Sequence, residues 1–138
     1  MNTGTALQIP AVAATVTALL GLLAAFLTFR VIRQRVVFDV HAGDGGKPPL
    51  AQAMRAHSNF AEHAPLALLL LALAEVSGAH RGWIVALGGL LLLARLVSAW
   101  GLSHSLGPSM ARQAGAGMTV LATAATATLL LVRLWAPA

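Results

Sequence analysis

Cysteine and tyrosine are both missing from the 138-residue sequence, and charge is scarce. Without cysteine there is no disulfide, no thiolate nucleophile and no clue to redox compartment. Charged residues make up only 9% of the chain, against about a quarter in a soluble domain. Hydrophobic residues reach 58%. The balance describes a membrane protein of one domain, spanning residues 1–138.

Other absences narrow the field. The net charge is +5, but the nine basic residues form no aromatic-interleaved patch of the kind that binds nucleic acid. In a membrane chain, basic residues report topology instead. Residues 1–8 carry no charge, so the basic n-region of a signal peptide is lacking. The histidines at 41, 57, 63, 80 and 104 have no zinc-ligand spacing, so no metal site is expected. HAGDGGKP lacks the pattern of a phosphate loop. GLSHS lacks the spacing of a nucleophile elbow. No internal repeat is evident.

What is present is apolar length. A bilayer core of about 30 Å takes roughly 20 apolar residues per helix. Four segments meet that, at about residues 9–33, 52–76, 82–102 and 112–135. The first is free of charge through Phe29, and its helix is expected to carry Arg30 and Arg33 beyond the apolar run. The fourth is rich in Ala, Thr and Gly, the small residues that let membrane helices approach closely. Lipid leaves the backbone no open-sheet alternative, so the fold class is all-α, an integral membrane four-helix bundle. The first linker, with HAGDGGKPP at its end, is long and polar, and the other two are short turns.

Arg30, Arg33, Arg35, Lys47 and Arg55 cluster about the first linker, and Arg112 lies at the third. Only Arg81 and Arg133 fall on the other side. The positive-inside rule then places the first and third linkers in the cytoplasm and both termini opposite. Trp83 and Trp135 fall near the far interface, as belt aromatics do.

The stretch MRAHSNFAEHAPLALLLLALAE, from Met54 to Glu75, is polar where a span should begin. On a helix, Arg55, Asn59 and Glu62 stand at i, i+4 and i+7 and share a face, with His57 and His63 to either side. One reading is structural: Arg55 snorkels to the interface and Glu62 pairs with it. The other is a pocket, because ionisable groups in a span usually face a bundle interior or a wet cavity.

Arg95, within LLLLARLVSAWG, also needs a partner. Glu62 is the expected counter-charge, which leaves Arg95 as either a structural ion pair or a ligand contact. Arg112 opens the fourth span, where a cation opposes the helix dipole. It is either an anchor or a group reaching for an anion between helices. Together Arg33, Arg55, Arg112, Asn59 and Glu62 would suit a small zwitterion with two carboxylates and an amine. The carboxylates would meet arginines and the amine Glu62.

RAHSNFAEHAP, Arg55 to Pro65, resembles the R-A-x-x-N-x-x-E-x-x-P signature of the MAPEG family, the membrane-associated proteins of eicosanoid and glutathione metabolism. Four spans, a basic first linker and chain length fit as well. GDGG before the second span is most similar to bacterial-type members.

The resemblance implies a homotrimer in the bacterial inner membrane, with glutathione as co-substrate bound between subunits. It assigns Arg33, Arg55, His57, Asn59 and Glu62 to glutathione binding. It makes Arg112 catalytic, as the cation beside the thiol, where it lowers the thiol pKa and favours the nucleophilic thiolate. A lipophilic second substrate would arrive from the membrane lipid, in a glutathione transferase or peroxidase reaction. The chain departs from catalytic eicosanoid members where they carry tyrosine or histidine, at positions aligned with Ser98 and Leu102. Gln113 stands where some members have serine. Two rival functions remain open: non-catalytic ligand binding on the same fold, and a small proton-coupled transporter using Glu62.

Overall fold

The computed structural model describes residues 9–104 and 107–135. Those residues form four helices and no strand: α1 (Ala11–Phe38), α2 (Pro48–Val76), α3 (Arg81–His104) and α4 (Met110–Trp135). All four are long and apolar enough to cross a membrane. Every helix also turns large apolar side chains outward, with Leu22 70% exposed and Val120 67%. Water would penalise such a surface and lipid does not.

Helix ends extend past the apolar runs. α1 continues through Arg30, Arg33 and Arg35 to Phe38. It stops where Asp39 turns left-handed (φ 53°) and returns its N–H to the Arg35 and Val36 carbonyls. The expected long linker is therefore a compact loop over 39–47. Arg35 organises it by donating Nη1 to the carbonyls of Val40 (3.2 Å) and Gly43 (3.1 Å). Gly43, Gly45 and Gly46 all have positive φ there, which explains a glycine-rich sequence at this turn. Pro48 and Pro49 then open α2, where their missing N–H groups cost nothing. Of the third linker, residues 105 and 106 lie outside the described set, as do 1–8 and 136–138, and with them the expectations for the extreme termini.

α2 and α3 pack against each other through the middle of the bundle, while α1 and α4 do not touch among the described residues. In cross-section the helices make a rhombus with α2 and α3 on its short diagonal. The main core joins Leu20 of α1, Leu71 of α2, Ile84 and Leu91 of α3 and Ala122 of α4. A smaller cluster of Leu27, Ala56, Ala99 and Leu102 lies towards the basic end.

The closest crossing is between α3 and α4. A Cβ on Gly115 would overlap Ser98 Oγ and lie 2.8 Å from its backbone nitrogen. Glycine is what allows these two backbones to meet. Glu75, at the end of α2, accepts the backbone N–H groups of Val12 (3.0 Å) and Ala13 (2.7 Å). Pro10 gives α1 no side-chain cap and its first turn holds no acid, so this remote carboxylate supplies the cap.

Candidate functional site

α2 buries Ala53, Ala56, Ala64, Ala67, Leu71 and Ala74. At 3.6 residues per turn, Asn59 falls at the edge of that stripe and Arg55 and Glu62 beyond it. The structure agrees: Asn59 is half-buried, and Arg55 and Glu62 are exposed.

Arg95 is buried to 1% exposure, but its partner is not Glu62. Nη1 donates to Asn59 Oδ1 (3.2 Å) and, more weakly, to the Asn59 carbonyl (3.4 Å). Nη2 donates to Ser98 Oγ (3.0 Å) and to Thr119 Oγ1. The expected Glu62–Arg95 pair is thus corrected: no ion pair joins them, because Glu62 lies beyond the edge of α2's buried stripe. Neutral acceptors from three helices hold the guanidinium instead. Thr119 keeps its own proton satisfied on the Gly115 carbonyl (2.7 Å). Arg95 Nε has no partner.

Directly beside this network lies a cavity of about 500 Å³ lined by Arg55, Asn59, Ser98, Leu102, Ser109, Arg112, Gln113 and neighbours. It opens where α2 and α4 meet, with α3 as its floor. Asn59 and Ser98 join the two parts, since each holds Arg95 and also lines the cavity. Ser109 caps α4, accepting the Arg112 backbone N–H (3.3 Å). Arg112 donates Nη1 to the Gly107 carbonyl (2.6 Å). A second cavity of about 670 Å³ shares Arg55 and Arg112 and runs under the first linker to Asp44, Met54 and Ser58. Two guanidinium groups so placed suit an anion with more than one carboxylate.

Other sequence-predicted residues fall elsewhere. Arg33 and His57 line neither of these two cavities. Arg33 is exposed, and His57 is two residues round the helix from Arg55. Glu62 lines neither cavity and points out of the chain. Sequence reading missed Asp44, the carboxylate that reaches the cavity beside Arg55. It lies in a loop, where no helical period marks a face. It also missed Ser109 and Ala116, whose only signal was their nearness to Arg112.

The fold and the site together define a helical integral membrane protein with four spans and an arginine-lined cavity at the basic end of its bundle. The model of the MAPEG family matches residues 13–132. Two relatives are 40% identical over 96 residues, covering 66% of this chain and 72% of their own length. They are "Inner membrane protein YecN" from Escherichia coli strain K12 and the protein of the same name from Escherichia coli O6:H1. The chain belongs to the MAPEG family. With four membrane-length helices and inner-membrane relatives, it is an integral inner membrane protein.

Proposed function

We propose that the protein binds glutathione in the cavity between α2, α3 and α4 and uses it against lipophilic electrophiles, as a glutathione transferase or glutathione-dependent peroxidase. The observation that carries this reading is the convergence of Arg55, Asn59 and Arg112 on one cavity of about 500 Å³, a size usual for small-molecule sites. Two carboxylates of the tripeptide would meet Arg55 and its neighbours, and Arg112 would hold the thiolate. The thiolate sulfur then attacks an electrophilic carbon of a substrate dissolved in the membrane, forming a thioether as the leaving group departs with its electron pair. With a hydroperoxide it attacks the distal oxygen, and the O–O bond breaks to release the alcohol. A second glutathione reduces the resulting sulfenic acid, giving the disulfide and water.

Arg33 and Glu62 are exposed in the single chain. In this reading they complete the site from a neighbouring subunit of a homotrimer, and Glu62 meets the amine. His57 is retained as a polar contact only through the family signature. The first and third linkers face the cytoplasm in this arrangement, because the basic residues gather at that end.

A second reading is supported by Ser98 and Leu102. Both line the cavity, yet Leu102 has no hydrogen-bonding group, and the Ser98 hydroxyl is engaged by Arg95. Binding without turnover fits that pair. The transporter reading has less support, because Glu62 sits beside no internal path and the cavity is lined by arginines.

Calorimetry of the detergent-purified protein with glutathione tests the proposal. Saturable binding that Arg55→Ala abolishes is expected. No binding by the native protein would overturn it. Turnover of a lipophilic electrophile separates the two readings.

A further inference from the structure

We propose that the groove between α1 and α3 at the basic end of the bundle is a binding site for an anionic phospholipid. It lies across the rhombus from the α2/α4 opening of the candidate site, and it does not depend on glutathione binding. The groove encloses about 440 Å³, and its walls include Phe26, Leu96 and Trp100. Buried Leu27 and Ala99 lie at its base, while Phe26 is 57% exposed and Trp100 61%, so the unburied faces of these two rings meet the bilayer.

Among the described residues, polar groups gather at one end, where Arg30, Ser103 and His104 stand. The apolar run of α1 from Ala11 through Phe29 measures about 28 Å at 1.5 Å per residue, close to the hydrocarbon thickness. Arg30 follows directly and sits at headgroup depth.

The guanidinium is oriented there. Arg30 Nη1 donates to Ser103 Oγ, whose own proton goes to the Ala99 carbonyl (2.5 Å). The guanidinium carbon lies 6.0 Å from the centre of the Phe26 ring. Nη2 and Nε make no hydrogen bond among the described residues, which leaves the paired edge of the fork that grips a phosphate. His104 Nδ1 contacts the Trp100 carbonyl at 2.7 Å and so carries the proton, because a carbonyl only accepts. Among the described residues no aspartate or glutamate lines the groove. A zwitterionic headgroup would bring an ammonium beside Arg30 with no carboxylate to hold it. A net-negative phosphodiester with its acyl chain along Phe26, Leu96 and Trp100 satisfies both ends.

The test uses Trp100 as reporter, with Trp83→Phe and Trp135→Phe removing the two tryptophans of the opposite end. Brominated phosphatidylglycerol and brominated phosphatidylcholine are compared as quenchers in mixed micelles. The acidic lipid is expected to bind about fivefold more tightly, the worth of one arginine at an anionic surface. Arg30→Gln should bring the ratio near one, and Arg33→Gln, one turn further and exposed, should leave it unchanged. Inorganic phosphate should not reverse the quenching. A native ratio near one overturns the proposal, and this arm needs no variant to fold. Equal loss in Arg33→Gln also overturns it, by making the preference a general charge effect. So would quenching by neither lipid, which would mean another copy covers the groove, or reversal by phosphate, which would make the ligand a free anion.

Discussion

Replacing Glu75 with alanine removes the cap of a helix that begins 64 residues earlier in the chain. In the structure, the two carboxylate oxygens take the N–H groups of Val12 and Ala13 at 3.0 and 2.7 Å. Among the described residues no other side chain caps that end. A hydrogen bond to a charged group is worth about 1.5–3 kcal/mol, and the dipole of α1 adds a few tenths. Glu75 is partly exposed, so water recovers part of the loss. About 2 kcal/mol is expected for Glu75→Ala. That is roughly a thirtyfold change in the folding equilibrium. Glu75→Gln keeps one acceptor oxygen and should lose about half as much. Unfolding by a denaturing detergent, followed by circular dichroism, measures both. Glu62→Ala, an exposed carboxylate on the same helix, is the control and should leave the single-chain fold unaffected. If Glu75→Ala unfolds with the native protein and Glu62→Ala unfolds earlier, the capping argument is refuted.

Gly115→Ala should cost about 1–3 kcal/mol by forcing α3 and α4 apart, read in the same unfolding assay. Asn59→Ala should weaken glutathione binding and also lower stability by about 1–3 kcal/mol, because it strips a partner from buried Arg95. Glu62→Ala should weaken binding alone, and calorimetry beside unfolding separates the two. Arg112→Ala should lower turnover more than affinity; equal losses would reduce it to an anchor. Reagents confined to the cytoplasm should label a cysteine placed at residue 43 and miss one placed at residue 79, and the reverse pattern would invert the topology.

The four spans were legible because their apolar length exceeds anything a loop or strand would need. Arg55, Asn59 and Arg112 were legible as one cluster because helical spacing aligns the first two and charge marks the third. The partner of Arg95 was not. Periodicity says which residues share a face of α2, but not which part of that face meets α3. Formal charge pointed to Glu62, while packing chose the amide one turn away. Thr119 looks in sequence like an ordinary small residue of a membrane helix, and Ser98 stands out only as a departure from the family's tyrosine or histidine, not as a partner of Arg95. Their role comes from the crossing that Gly115 permits. Glu75 escaped notice as a cap for the reason that remote contacts usually do: nothing local to Val12 requires it.

The neutral cage about Arg95 also bears on how the chain enters the bilayer. A nascent α3 delivered alone would carry a bare guanidinium into hydrocarbon. Asn59 lies on the helix synthesised just before it, and residues 77–80 form the whole connection between them. α2 and α3 are thus suited to leave the translocon as a pair, the amide shielding the arginine from lipid from the outset. Thr119 arrives only with α4. Insertion of the last helix then closes the cage, and a chain truncated before Met110 would be left with a half-shielded arginine for quality control to find.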